Sequence, residues 1–468
     1  MSLLFGSCGL STASSTSEHA RSSDFLGHPK GLAFLAFTEA WERFSYYGMS
    51  ALLVLYMLNQ LLLPGHVEHV AGFAALRATI EGTFGPLSTQ ALASQIFGLY
   101  SGFVYFTPVI GGWLGDRIGQ RNAVVLGALS MGGGHLAMAF DQSFLLALLL
   151  LILGSGLLKG NISAQVGTLY APADEERRTR GFALFSTGIN FGAVAGPLFC
   201  GFLAERYGWH IGFAAAALFM LGGLATYLSG YAYLPARVER RARPVAAPLL
   251  PKERKVVAAL IAAMAITILP YIAYYQLANV LPVWLQEQAN MNAGGFRVPI
   301  PWYQSVDPLF SILGLPLLFA LWRWQGRQAG EPSELRKIGI GSFISGGANL
   351  ILVAAIILSS GRVSWVWPFL YCAVQGIGFM YFWPPLLSLV SRAAPAKLNA
   401  TMMGGAFLVL FVANNLIGWI GTFYEQLGPL AFWTMHAAIG GVGGVLALTF
   451  GHTSGRILEP QTSRAPTR

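Results

Sequence analysis

The chain opens with a polar, Ser-rich stretch and then becomes a succession of long apolar segments separated by short polar ones. Twelve such segments stand out, at about 31–59, 91–115, 121–141, 143–170, 180–205, 209–233, 255–284, 303–325, 336–360, 363–392, 398–424 and 429–451. Each reaches the roughly 20 residues that a helix needs to cross the hydrocarbon core of a bilayer. Pro108, Pro197, Pro270, Pro316 and Pro384 fall inside these segments and predict kinks, since neighbouring helices can satisfy the freed backbone groups. The pattern predicts an all-α polytopic membrane protein. Residues 1–29 read as a disordered tail without the apolar core of a secretory signal. An amphipathic stretch at 66–84 reads as a surface helix in the first external loop.

Composition sharpens this. Charged residues make up 10% of the 468, against about 25% in an average soluble domain, while 54% are hydrophobic and the mean hydropathy is +0.56. A soluble enzyme, a disordered protein and a disulfide-rich module are all poor fits. The three cysteines, Cys8, Cys200 and Cys372, form no Cys-x-x-Cys pair, so neither a disulfide framework nor a zinc site is expected. No phosphate loop, Ser/His/Asp set or metal-spaced His cluster stands out, and no metal or organic cofactor is expected. His135 and His436 lie alone in apolar segments and read as packing residues.

The net charge of +9 is a matter of topology. Of the 29 Lys and Arg, 23 fall in the N-terminal tail, the even-numbered connections, the central linker and the C-terminal tail. Only Arg77, Arg206, Arg297 and Arg362 fall on the other side. This asymmetry predicts that both termini are cytoplasmic and makes nucleic-acid binding unnecessary. The basic linker 234–254 divides the chain into six-helix groups at 30–233 and 255–452, with a cytoplasmic tail at 453–468.

The remaining two cations, Arg43 and Lys159, lie inside apolar segments, as do Glu39, Glu42 and Asp307. Intramembrane charges are costly and therefore mark function. With 100° per residue, Glu39, Glu42, Arg43, Tyr46, Tyr47 and Ser50 fall within one arc of about 140°. One helix thus turns two carboxylates, a guanidinium and two phenols toward a common interior. Lys159 sits among small and hydroxyl residues, two or more turns from the end of its segment at Tyr170, too deep for simple snorkelling. If all five groups were ionised the interior would hold one excess negative charge, so one acid is expected to carry a proton.

The run Glu39-x-x-Glu42-Arg43-Phe44-x-Tyr46-Tyr47-Gly48-Met49 resembles the first-helix motif of the proton-dependent oligopeptide transporters, which belong to the major facilitator superfamily. Lys159 in Leu-Leu-Lys-Gly-Asn resembles that family's fourth-helix lysine, with Gly160 where Pro is usual. Residues 185–192, Phe-Ser-Thr-Gly-Ile-Asn-Phe-Gly, resemble its fifth-helix signature, and 111–121 resemble the superfamily's loop after the second helix. The resemblance implies a major facilitator fold of 12 transmembrane helices in two six-helix bundles. It also implies proton-coupled symport of di- and tripeptides by alternating access, with the proton as coupling ion, in a plasma or inner membrane, by a monomer. Carried over by position, Glu39 and Glu42 resemble the proton-coupling acids. Arg43 and Lys159 would face the peptide carboxylate, and Tyr46, Tyr47, Tyr105, Asn190 and Gln276 would complete the peptide site.

The second half departs from that pattern. Phe379 stands where the family has a helix-10 glutamate, Tyr275 where it has an acid before Gln276, Ser50 where it has the matching arginine, and Ala406 where it has a tryptophan. Asp307 runs the other way, an acid where Asn is usual. It is expected either to bind the peptide amine or to pair with Lys159. The departures leave room for a carrier of another anionic or zwitterionic solute, and for a transport-silent sensor or scaffold on the same fold.

Overall fold

A computed structural model describes residues 24–171, 174–235, 248–328 and 330–458. The expected central linker lies largely outside these residues, as do the first 23 residues and everything after 458. Fourteen α-helices run α1 Lys30–Tyr56, α2 Phe73–Phe84, α3 Thr89–Ile118, α4 Gln120–Ala137, α5 Phe144–Thr168, α6 Glu175–Tyr207 and α7 Trp209–Ser229 before the linker, and then α8 Pro251–Asn279, α9 Leu281–Gln288, α10 Tyr303–Gln328, α11 Glu334–Leu358, α12 Val366–Ala393, α13 Asn399–Gly421 and α14 Tyr424–Leu458. The amphipathic stretch in the first long loop is α2, lying between α1 and α3. Among the described residues, strands are limited to three two-residue pairs. One of them, Asp24–Phe25 with His28–Pro29, orders the end of the segment expected to be a disordered tail. His28 is buried there, its Nδ1 2.9 Å from the Tyr170 hydroxyl.

This is an all-α, multi-helix membrane fold. Nine of the described helices, α5–α8 and α10–α14, are long and apolar enough to cross a membrane. The other long helices, α1, α3 and α4, fall short by composition. They carry polar side chains that face protein rather than lipid: Glu39, Glu42 and Arg43 on α1, and Gln90, Ser94, Gln95, Ser101 and Thr107 on α3, are all buried. The lipid-compatible surface is supplied by exposed apolar side chains such as Leu149, Leu218, Leu317 and Ile357. Pro108, Pro197, Pro270, Pro316 and Pro384 all lie within helices, as expected.

Close helix contacts depend on glycine, since helices in lipid associate through small residues that let backbones approach. Gly188, Gly192 and Gly196 form a groove on α6 that receives α1. A Cβ on Gly192 would stand 2.6 Å from Arg43 Cβ, and one on Gly196 would stand 2.4 Å from the Phe44 carbonyl oxygen. Gly98 on α3 meets Gly418 on α13, where an added Cβ would lie 2.5 Å from the partner's Cα.

Contacts between residues before and after the linker gather at the end of the molecule away from it. Gln90 donates to the Gly421 carbonyl at 3.3 Å, Trp302 Nε1 to Leu198 O at 2.8 Å, and Ser305 Oγ to Val194 O at 2.7 Å. Arg297 pairs with Glu205 at 3.2 Å, and Asn59 exchanges two hydrogen bonds with Gln286. Toward the linker end, no such bond joins the two sets among the described residues. There the facing stretches of α6 and α10 are open: Ala183, Ser186, Thr187 and Asn190 are exposed, as are Ile312, Pro316 and Phe319, which lie in line with Ser305 on α10.

Replacing Gly98 with Val is expected to destabilise the fold by about 1–3 kcal/mol, because the new side chain meets backbone that cannot yield. Gly112→Ala, with nothing within 4 Å of the added atom, is expected to be neutral. Thermal unfolding of the two purified variants in detergent separates these outcomes.

Candidate functional site

The α1 segment from Glu39 to Tyr47 folds as a helix that places its charges on one inward stripe, held against the glycine groove of α6. Arg43 Nε lies 3.2 Å from Glu39 Oε1 and also pairs with Glu42. All three side chains are buried, Glu42 completely. The remaining oxygen of Glu39 and the Nη2 of Arg43 have no hydrogen-bond partner. A guanidinium presents five donors in a fixed fork, so an arginine shared by two acids still has capacity for a further anion.

Lys159 comes from α5, which α3 approaches closely through Gly111 and Gly156; a Cβ on Gly111 would lie 2.1 Å from the Gly156 carbonyl oxygen. Asn161 locks this contact by donating to the Gly111 carbonyl at 3.0 Å. The Lys159 ammonium is buried, has no hydrogen-bond partner, and lies over two phenol rings, 4.6 Å from that of Tyr46 and 4.9 Å from that of Tyr105. Arg43 also faces the Tyr46 ring, at 5.3 Å. Cation–π attraction offsets part of the desolvation cost, at about 2 kcal/mol for a desolvated pair, but supplies no counter-charge. The result is an ammonium ready for an anion, beside an arginine held by two carboxylates.

The residues after the linker contribute aromatic rings and one acid. Asp307, on the first turns of α10, is buried; its Oδ2 accepts a 2.6 Å hydrogen bond from the Tyr274 hydroxyl and its Oδ1 has no partner. It forms no ion pair with Lys159, so of its two expected roles the pairing is not seen. The reason is local: Tyr274 on α8 supplies the donor, and Gly376 on α12 lets the α10 backbone come within contact distance. Tyr274 stacks on Phe379 at 5.1 Å and adjoins Tyr275 at 5.8 Å. Tyr275 in turn faces Phe97 of α3 at 6.3 Å. The positions expected to lack acids are thus filled by a continuous aromatic wall.

Tyr46 and Tyr47 adjoin each other at 5.2 Å, and Tyr105 joins them around Lys159. Two expected site residues do not join this group. Gln276 is fully buried; its Nε2 donates to Ile417 O at 3.2 Å and its Oε1 accepts from Asn279, so its amide is consumed in the α8–α13 contact. Asn190 is exposed. Gly188 and Gly192 take the face of α6 that meets α1, and Asn190 lies about half a turn round from both. Tyr274 was not expected as a site residue. Its signal was present in the neighbouring aromatic run but had no separate chemistry until Asp307 was placed beside it.

The family model described as Major Facilitator Superfamily matches residues 35–418. The chain is 30% identical to an uncharacterized transporter, YclF, of Bacillus subtilis (strain 168), over 91% of this chain and 94% of that protein. It is 29% identical to a di-/tripeptide transporter of Lactococcus lactis subsp. cremoris, over 91% and 95%. The crystal structure of a peptide transporter, POT, in complex with sulfate superposes with a TM-score of 0.82 at 27% identity, covering 95% of this chain and 99% of that one. This multi-pass plasma-membrane protein belongs to the major facilitator superfamily and, within it, to the proton-dependent oligopeptide transporter (POT) family.

Proposed function

We propose that the protein is a proton-coupled symporter that carries di- and tripeptides into the cytoplasm by alternating access. The observation that carries this reading is the buried, unpaired Lys159 ammonium beside the Glu39–Arg43–Glu42 cluster. A peptide carboxylate supplies the anion that Lys159 lacks, and Arg43 extends its free donors to the same group. A proton on Glu42 or Glu39 loosens that acid's hold on Arg43 and frees it for the substrate. The peptide amine is taken by the free Oδ1 of Asp307, and Tyr46, Tyr47 and Tyr105 line the path between the two ends. The proton is the coupling ion, as is usual in this family, and no metal or organic cofactor enters the scheme.

The architecture proposed with it has twelve spanning helices, α1 and α3–α7 in one six-helix bundle and α8 and α10–α14 in another. The bundle boundaries near 30–233 and 255–452 and the cytoplasmic location of both termini follow the basic-residue asymmetry. The contacts at the end away from the linker then close the outer face, and the gap between α6 and α10 opens to the cytoplasm. Asn190 lies in that gap, where a departing peptide passes it. The site is contained in one chain, so a monomer suffices. A second reading, a carrier of another anionic solute, is favoured by the stacked Tyr274 and Phe379 rings where a second acid would grip an amine.

Reconstituted protein is expected to take up labelled dialanine when an inward proton gradient is imposed. Lys159→Ala is expected to reduce this by at least about tenfold, the factor tied to one charge-assisted hydrogen bond. Glu42→Gln is expected to lose gradient-driven uptake while keeping dialanine exchange across the membrane, since exchange needs no net proton movement. Preference for nitrate or an amino acid in a competition panel, with no dialanine uptake, would favour the second reading.

Asp307→Asn is expected to raise the KM for dialanine by about tenfold and to leave competition by N-acetyl-dialanine unchanged. Equal behaviour of wild type and variant toward both peptides would remove Asp307 from the amine site.

A further inference from the structure

A second cluster of titratable side chains lies at the end away from the linker, outside the charged site. There α1 runs into a π-helical turn, Met57–Leu61, a distortion found frequently at functional positions. The turn sends two successive amides in different directions. Asn59 pairs with Gln286 of α9, donating at 2.9 Å and accepting at 2.8 Å. Gln60 reaches instead to Asp141, between α4 and α5, with its Nε2 3.2 and 3.3 Å from the two carboxylate oxygens. The same nitrogen lies 2.8 Å from Nε2 of His210, on the first turn of α7.

Asp141 is the hub. It also accepts from the Tyr56 hydroxyl at 2.6 Å and lies 2.8 Å from His66 Nδ1 and 3.4 Å from His210 Nε2. A cavity of about 680 Å³, lined by His66, His69, Asp141, Gln142 and His210 among others, opens the cluster to water. The other nearby acids are turned elsewhere: Glu68 accepts from the Gly65 backbone N–H, and Glu205 on α6 pairs with Arg297. Gln286 is itself held from the far side, since Arg362 donates to its carbonyl at 3.1 Å and Tyr424 donates to the adjacent Glu287 at 2.9 Å.

Donor and acceptor accounting assigns the protons. A carboxylate only accepts, so the Gln60 amide must face it with nitrogen; turned over, its oxygen would oppose both carboxylate oxygens. That nitrogen is a pure donor, so the His210 Nε2 beside it must accept. The assembled network therefore requires neutral His210 with its proton on Nδ1, which is buried without a partner. A second proton, on Nε2, would set two donors 2.8 Å apart and give Asp141 a cationic partner already 3.4 Å away. His66 offers no such conflict, because its Nδ1 can donate to Asp141 in either protonation state.

We propose that His210 is a proton-responsive switch for the closure at this end: its protonation makes Asp141 exchange Gln60 for His210, frees the π-helical turn, and weakens the Asn59–Gln286 contact. Imidazole is the side chain whose charge ordinarily changes between pH 5 and 8. Acid on this side therefore favours opening there. That this side is external rests on the proposed topology; the switch itself does not depend on it or on peptide being the substrate.

The test is a distance measurement without substrate. Spin labels at Leu63→Cys and Phe296→Cys, both exposed positions, report the separation across this end in a Cys8→Ser background, with Cys200 and Cys372 buried. In nanodiscs, lowering the pH from about 8 to about 5.5 is expected to raise the ratio of open to closed distances about fivefold, the scale of one lost hydrogen bond. His210→Gln, whose side-chain oxygen can still accept from Gln60 but cannot be protonated, is expected to stay closed at both pH values. Asn59→Ala is expected to be more open already at pH 8. An unaltered acid response in His210→Gln, or none in the parent protein, overturns the proposal.

Discussion

The structure depends on how a membrane-spanning fold tolerates charge that water cannot reach. An isolated ion in low dielectric is costly, and removing one partner of a buried pair costs about 3–5 kcal/mol. Arg43 therefore holds two acids, and the helix carrying all three is pressed against the glycine groove of α6 so tightly that even a methyl group on Gly192 would collide with Arg43. Lys159 has no such partner. Its ammonium rests on the Tyr46 and Tyr105 rings, which lower its energy without neutralising it. The fold thus leaves one buried cation without a paired acid, and in the proposed scheme an anionic substrate group takes that place.

The two halves of the chain contribute unequally to that centre. Residues before the linker bring two cations and two acids; residues after it bring Asp307 and a wall of Tyr274, Tyr275 and Phe379. A solute that bridges the centre meets opposite charge at Lys159 and at Asp307, with aromatic surface between. In the proposed scheme this polarity orients a zwitterion. Because the tyrosine hydroxyl occupies only one of Asp307's oxygens, the acid can accept from a second donor without first breaking the bond that positions it.

Much of this was legible in the sequence because helical periodicity converts spacing into direction. Glu39, Glu42, Arg43 and Tyr46 share a face by arithmetic, and the structure keeps them on it. The surroundings of Gln276 and Asn190 were not legible in this way: periodicity says which residues share a face, but not which neighbour that face meets. Gln276 met the Ile417 carbonyl and Asn190 an open gap. Gly188 and Gly192 stand in the stretch that resembles the fifth-helix signature, yet their use with Gly196 as a groove required α1 to be placed in it. The π-helical turn at 57–61 left no trace in the hydropathy pattern, since one extra residue in a turn changes direction and not composition.

The end away from the linker shows how closure is achieved without the ion pair that the family resemblance would place between Ser50 and Tyr275. Ser50 is buried, and Tyr275 lies against Phe97 and Tyr271, so neither position has charge to offer. Closure is distributed instead over close backbone contact at Gly98 and Gly418, a buried amide on the Gly421 carbonyl, the Asn59–Gln286 pair and one exposed ion pair, Glu205–Arg297. Each is weak: neutral hydrogen bonds and exposed ion pairs contribute about 1 kcal/mol or less. A closure built from several small terms can be opened by a modest bias, whereas a single buried ion pair would have to be broken at once. This suits a carrier whose two conformations must lie within a few kcal/mol of each other, because a ligand shifts such an equilibrium only by its difference in affinity for the two states.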